Sequence, residues 1–237
     1  MPNLRIFTIS KTLIPVILAL AFCCGFSSAQ DNSYSHMLSV TMTASQNLFV
    51  AQTAVNKQRE VMRVAAGQPP HGSTTTQPQQ QRVVQYPITA TDFQPLSPPI
   101  MPSQFANSAT GVDAATRETM RNFFQQVLTA FEAGARKHNF ANAFAFICAA
   151  ALQVRNGKEP TNAEVDQMIA GFNNRLAASP TYYTYNPTQQ QMLYESLIIT
   201  GGIIAFLDTQ GKQTNNPQLR AQAQEMSSAV LKAFLGI

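Results

Sequence analysis

The stretch NPTQQQMLYESLIITGGIIAFLDTQG, residues 186–211, decides the fold. Asn186 is a favourable N-cap, Pro187 suits the first turn of a helix, and Gln189 stands at the capping-box position three residues after the cap. No residue between 197 and 207 is charged, so this part of the helix is apolar on every face, which is typical of a buried central helix. The uncharged run is too short to span a bilayer.

Four more helical patterns surround this one in the sequence. They run from Ala114 to Lys137 with Asp113 as N-cap, from Asn139 to Gly157, from the Thr161/Glu164 capping box to the stop at Ser179-Pro180, and from Asn216-Pro217 onward. The third of them has a narrow apolar stripe and should lie on the outside of the domain. Short connections and the absence of a strand period predict an all-α bundle of about five helices around the central apolar helix.

Glycine and alanine predict how two of these helices meet. The helix from Asn139 to Gly157 is nearly uncharged and rich in alanine, which allows a neighbour to approach closely. Gly201-Gly202 would each cost about 1 kcal/mol relative to alanine in a helix. We therefore predict that the two helices cross at these glycines, and that Gly211 ends the central helix.

The first 29 residues have the order of a secretory signal peptide. Arg5 and Lys11 precede an uncharged run and the small residues Ser27-Ser28-Ala29, so cleavage is expected after Ala29. An uncleaved membrane anchor is the alternative. Lipid attachment at Cys23 or Cys24 is disfavoured because neither is preceded by a small residue.

The composition of residues 30–111 predicts an arm and a linker ahead of the helical domain at 112–237. Within the arm at 30–66, a polar segment with apolar residues on one face predicts a short amphipathic helix over 45–66. Residues 67–111 are rich in Pro, Gln and Thr, which is typical of an extended linker. Residues 82–93, RVVQYPITATDF, have the β-branched and aromatic content of an extended segment that docks on the helices.

Composition excludes some classes of function. The formal charge is +4 and falls by two when the signal peptide is removed, and the basic residues are scattered, so nucleic-acid binding is not expected. Cleavage after Ala29 would also leave Cys148 as the one cysteine, so that no disulfide could form within the chain. On an apolar helix, Cys148 is expected to be a buried, inert thiol.

The ordered segments together resemble a known bacterial family. The order ATDF, an amphipathic helix, NFANAFAFICAAALQVRNGKE, QQQMLYESLIITGGIIAFLDTQGK and a last helix ending in KAFLGI is similar to domain of unknown function 6683. The similarity spans roughly residues 86–237 and is most specific at 191–211 and 139–157. It implies an exported, helical bacterial protein of uncharacterised function, and it brings no catalytic residue.

One residue is a candidate for catalysis. Glu195 lies in an apolar helix, where a glutamate with a raised pKa could act as general acid on a glycosidic bond. An exported all-α protein with a Glu-Ser dipeptide is similar to the lytic transglycosylases that cut cell-wall glycan, although the Gly-Leu-Met-Gln element that follows Glu-Ser in those enzymes is absent here. The structural interpretation places Glu195 on the polar side of its helix, paired with Arg175 or Arg136, and we favour it.

Other chemistry finds little support in the residues. The three histidines, His36, His71 and His138, lack the spacing of metal ligands, and we expect His138 to place a favourable charge at the end of the first bundle helix. There is no G-x-S-x-G motif. Neither a metal nor a cofactor is predicted.

Three tyrosines form the candidate binding residues. Tyr182, Tyr183 and Tyr185 lie together in the loop before the central helix, where they could grip a partner protein or glycan, or could instead cover the end of the bundle. The sequence therefore predicts a non-catalytic interaction or structural module of the bacterial cell envelope, periplasmic or extracellular. No integral membrane span is expected after signal cleavage, and a peptidoglycan-cleaving glycan hydrolase using Glu195 is the alternative.

Overall fold

A computed structural model describes residues 85–96, 98–109 and 113–237, and these residues form an all-α bundle. The predicted signal peptide, the amphipathic helix over 45–66 and the linker up to residue 84 lie outside the described residues. The described helices are α1 (Met101–Ser108), α2 (Ala114–Gly134), α3 (Phe140–Asn156), α4 (Asn162–Ala177), α5 (Pro187–Gln213) and α6 (Pro217–Leu235). Short 3₁₀ turns cover Ile88–Thr91 and Pro180–Thr184.

Helix α5 is the centre of the bundle, as predicted. It contacts α1, α2, α3 and α6, and its middle is almost entirely buried. The predicted capping box is present, because Asn186 Oδ1 accepts from the Gln189 N–H at 2.9 Å and Gln189 Oε1 accepts from the Asn186 N–H at 3.0 Å. The 27-residue helix is longer than its uncharged run and is, by length and composition alone, long enough to cross a membrane, but 78% of its most apolar window is buried inside the bundle.

The two glycines of α5 allow two different helices to approach. A Cβ on Gly201 would lie 2.8 Å from the Phe146 ring and 3.2 Å from the Ile147 Cα, both on α3. A Cβ on Gly202 would lie 2.5 Å from Val127 Cγ1 on α2. The predicted crossing with α3 is thus confirmed at Gly201, whereas Gly202 makes room for α2.

Gly211 does not end α5, as the sequence had suggested. The helix continues to Gln213, and the turn into α6 is made by Asn215, whose φ is +50°. A Cβ on Gly211 would lie 2.6 Å from Arg220 Cγ and 2.9 Å from Arg220 N. This glycine is needed because the start of α6 packs directly on the last turns of α5.

The remaining helix starts follow the predicted caps. Asp113 Oδ1 accepts from the Thr116 N–H at 2.7 Å, Asn139 Oδ1 accepts from the Asn142 N–H at 3.0 Å, and Thr161 with Glu164 forms a capping box. Helix α4 contacts α3 and the two 3₁₀ turns. It therefore lies on the outside of the bundle, as its narrow apolar stripe predicted.

The segment before α2 differs from the predicted linker. Residues 101–108 form α1, which packs on α2 and α5 with Met101, Phe105 and Ala106 buried. The segment predicted to be extended over 82–93 is interrupted by the 3₁₀ turn at Ile88–Thr91. Both departures have one physical reason, which is that this stretch gains its structure from side chains of the bundle rather than from its own repeat pattern.

Candidate functional site

Glu195 lies in the third turn of α5 and is buried, with 3% of its surface exposed. Its Oε2 accepts hydrogen bonds from the backbone N–H groups of Ile100 at 2.9 Å and Met101 at 2.7 Å. These groups begin α1, whose N-cap residue Ile100 has no side chain that could cap the helix. Glu195 therefore caps α1 from another helix, where a negative charge also suits the helix dipole.

Gln191, one turn earlier on α5, completes the arrangement. Its Nε2 donates to Glu195 Oε1 at 2.7 Å and lies 3.2 Å from the Pro98 carbonyl oxygen, while its Oε1 accepts from the Leu96 N–H. The pair binds Leu96, Pro98, Ile100 and Met101 through backbone atoms alone. We call Gln191 and Glu195 the backbone clamp.

The electrostatics of Glu195 reflect this burial. Desolvation raises the pKa of Glu195 above its usual 4.5, and the hydrogen bonds from Met101, Gln191 and Ile100 offset only part of that rise. A raised pKa is what a general acid requires. Both carboxylate oxygens, however, are already engaged by the protein's own groups.

The arginine partners that we had expected for Glu195 are wrong. Arg136 forms a bidentate pair with Asp92, with Arg136 Nε 2.8 Å from Asp92 Oδ1. Arg175 is exposed and makes no hydrogen bond to Glu195 among the contacts of the described residues. The hydrogen bonds to Glu195 come instead from Gln191 and from the backbone that begins α1, and no local pattern around Glu195 indicates the second of these partners.

A second group of side chains binds the segment ahead of the clamp. Buried Asn139 places its Nδ2 within 3.0 Å of Thr91 Oγ1 and 2.8 Å of Asp92 Oδ1, while its Oδ1 caps α3. The Thr91 hydroxyl donates to Asn173 Oδ1 at 3.0 Å. Burial by itself would raise the pKa of Asp92, but the hydrogen bonds from Arg136 and Asn139 outweigh it and hold that pKa below 3.8.

The next residue, Phe93, fills an aromatic site. Its ring centroid lies 5.0 Å from Tyr194, 5.1 Å from Phe140 and 5.7 Å from His138. Its N–H donates to the His138 carbonyl at 2.9 Å. We call the site formed by Arg136, Asn139, Asn173, Phe140 and Tyr194 the Thr-Asp-Phe pocket, because it contacts the side chains of all three residues.

Tyr194 connects this pocket to two ionisable residues. Its buried hydroxyl donates to Glu132 Oε1 at 3.3 Å and accepts from the His138 N–H at 3.1 Å. His138 Nδ1 lies 3.4 Å from the same Glu132 oxygen. Burial and the Glu132 charge raise the pKa of the Tyr194 phenol, so this hydroxyl is a neutral structural donor rather than a nucleophile.

The three loop tyrosines differ in burial, although the rings of Tyr182 and Tyr183 are in edge contact, with centroids 5.2 Å apart. Tyr182 is buried with its ring 5.4 Å from Phe140, so it covers the end of the bundle. Tyr183 is 62% exposed and donates to the Ala177 carbonyl at 3.2 Å, and Tyr185 is half-buried. Of the three, Tyr183 is the one that a partner could reach.

The remaining candidates show little chemistry. Cys148 is fully buried, and desolvation raises the pKa of its thiol to about 12. In the part of the chain that the structure describes, no group of three or more His, Cys, Asp or Glu side chains is placed to hold a metal ion.

Comparison with known families supplies one match. The model of the family described as "Family of unknown function (DUF6683)" matches residues 8–237. The chain belongs to this family. The DUF6683 match extends well beyond the resemblance at residues 86–237 and takes in the predicted arm and linker. Comparison with curated proteins and with solved structures gave no match.

Sequence reasoning identified Glu195 and the N-cap role of Asn139 but missed Gln191, Asn173 and the contacts of Asn139 with Thr91 and Asp92. A signal for the clamp was present, because Gln191 and Glu195 stand four residues apart on one face of a helix that is otherwise buried. Polar side chains at such a spacing in a buried helix indicate a polar partner inside the fold. Nothing in the sequence indicated that this partner is the DUF6683 chain's own residues 96–101.

Proposed function

We propose that the chain is an exported, non-catalytic interaction or structural module of the bacterial cell envelope. The observation that carries this proposal is the occupied state of Glu195, whose Oε2 accepts two backbone hydrogen bonds and whose Oε1 accepts one from Gln191. A general acid must have its proton within reach of the substrate. Here substrate would have to displace the start of α1 before it could reach the carboxyl group.

The other buried polar side chains support the same proposal. Asn139 and Asn173 are at most 2% exposed and donate to backbone oxygens of residues 86–88. These amides satisfy the backbone polar groups of a docked segment, as burial requires. Within one molecule their role is architectural, and on the outer surface of the DUF6683 chain Tyr183 is available to an envelope or extracellular protein or to a glycan.

The catalytic alternative is tested by peptidoglycan turnover. Purified full-length chain, Glu195→Gln and the control Asp208→Asn are incubated with insoluble peptidoglycan, and soluble muropeptides are measured. Asp208 is a suitable control because it lies on the same helix, 10% exposed, and pairs with Lys212 at 2.7 Å, away from the clamp. We expect no release by any of the three. Release by the wild type and by Asp208→Asn but not by a folded Glu195→Gln protein would overturn the proposal.

Export is tested separately by the N-terminus of the protein recovered from its native host. We expect the mature chain to begin at Gln30, which intact-mass measurement of the purified protein would detect. A chain that keeps residues 1–29 and sediments with membranes would instead support the uncleaved anchor.

A further inference from the structure

The backbone clamp and the Thr-Asp-Phe pocket hold the N-terminal segment in different ways. The clamp uses only backbone atoms of residues 96, 98, 100 and 101, so it would hold many sequences. The pocket instead contacts the hydroxyl of Thr91, the carboxylate of Asp92 and the ring of Phe93. Three successive side chains of different chemistry are recognised, which is the property of a peptide-binding site.

The segment between the two sites has the character of a hinge. Only Gln94 and Pro95 lie between the two sites, because the clamp already holds the Leu96 N–H, and both residues are exposed. Proline restricts the backbone and favours extended conformations. A connection this short between two docked elements favours exchange with a second molecule, in which residues 85–93 would leave their own pocket while the clamp continues to hold the start of α1.

We propose that the Thr-Asp-Phe pocket is a binding site that also accepts Thr91-Asp92-Phe93 from a second copy of this chain, so that two molecules exchange residues 85–93, the docking arm. Every copy carries this ligand, and the exchanged arm would make the same contacts that it makes within one molecule. Exchange of identical elements is a low-cost route to a dimer. The inference deepens the proposed function and rests on it, since it names a partner for the interaction module.

The docking arm of a second molecule must compete for the pocket with the molecule's own arm, and this competition decides when exchange can be detected. A short tether holds the arm near its own pocket at an effective concentration on the order of millimolar. Wild-type chains at low concentration should therefore remain monomeric. The exchange is best tested with variants whose own arm no longer fits their own pocket.

Asp92→Arg and Arg136→Asp are such variants. Each places two like charges opposite each other, whether the arm comes from the same molecule or from an identical one. In a mixture, the Asp92 arm of the Arg136→Asp chain meets the intact Arg136 of the Asp92→Arg chain, which restores one wild-type pocket. One variant is labelled with heavy nitrogen, and native mass spectrometry of the full-length chains counts labelled–unlabelled dimers.

We expect at least about tenfold more mixed dimer than dimer in either variant alone, because like-charge contacts disfavour the unmixed pairings. A matched control mixes Glu118→Arg with Arg121→Glu, an exposed pair on α2 with its atoms 2.6 Å apart that arm exchange does not touch. The inference would be overturned if the mixture of Asp92→Arg and Arg136→Asp contained no more dimer than either variant alone. It would also be overturned if the control mixture contained as much mixed dimer as the test mixture. Neither result bears on muropeptide release, so failure here is distinguishable from failure of the proposed function.

Discussion

The backbone clamp and the Thr-Asp-Phe pocket lie one after the other along the same N-terminal segment, yet they differ in burial and in what they contact. Glu195 and Gln191 are at most 3% exposed and hold four backbone groups. The pair Asp92–Arg136 is about one-third to two-fifths exposed and holds side chain to side chain. The first site therefore stabilises a conformation, and the second recognises a sequence.

This difference separates two uses of polar groups within one fold. Buried polar atoms need hydrogen-bond partners, and removing one partner leaves the other without a hydrogen bond, which costs about 1–3 kcal/mol of stability. A partly exposed ion pair contributes only about 0–1 kcal/mol, because water competes for its charges. The clamp should thus dominate stability, whereas the pocket should decide which segment binds.

The largest expected effect is that of Glu195→Ala. The substitution leaves the N–H groups of Ile100 and Met101 without their acceptor, so the free energy of unfolding should fall by about 3 kcal/mol. Urea denaturation followed by circular dichroism measures it. Glu195→Gln keeps one acceptor oxygen and should lose about 1 kcal/mol. Equal losses for the two variants would show that the carboxylate does not act as an acceptor for α1.

A smaller effect is expected from pH, and its sign should differ between the two sites. The pKa of Asp92 is held below 3.8, so its contribution to stability is present above that value and is lost as pH falls through the folded pKa. The pKa of Glu195 is raised above 4.5, so its contribution is greatest below pH 4.5 and declines as pH rises through the folded pKa.

Thermal denaturation from about pH 3 to pH 7 checks these signs. Asp92→Asn should weaken the dependence of the melting temperature on pH at the acid end, and Glu195→Gln should weaken it above pH 4.5. The pocket contribution should stay within about 1 kcal/mol. If Asp92→Asn left the acid limb unchanged, the Arg136 pair would contribute nothing to docking.

The smallest expected effect is that of Leu96→Ala. The clamp uses the N–H of Leu96, and its side chain is 45% exposed, so stability should change by no more than about 0.5 kcal/mol. Leu96→Pro removes that N–H and should cost about 1–2 kcal/mol, since Gln191 Oε1 loses its donor. Urea denaturation measures the free energy of unfolding of both variants. An equal loss for Leu96→Ala and Leu96→Pro would contradict a clamp that holds backbone atoms only.

Much of the helical fold could be predicted because its signals are local. Asn186 and Thr161 cap their helices through residues three positions away, and the uncharged middle of α5 indicates burial at the centre. Helix α1 was missed because it is short, lies in a proline-rich stretch and receives its N-terminal acceptor from Glu195. The candidate site was only half predicted, since Glu195 was identified and its partners were not.

The sequence by itself therefore determined the five longer helices, the residues that cap their N-termini and the identity of the central one. It also determined close approach at Gly201. The tertiary structure alone decided what the polar side chains of α3, α4 and α5 bind, because their partners lie far away in the chain, 95 residues apart for Ile100 and Glu195. Caps and periodicity act over a few residues, whereas contacts over such separations depend on the path of the whole chain.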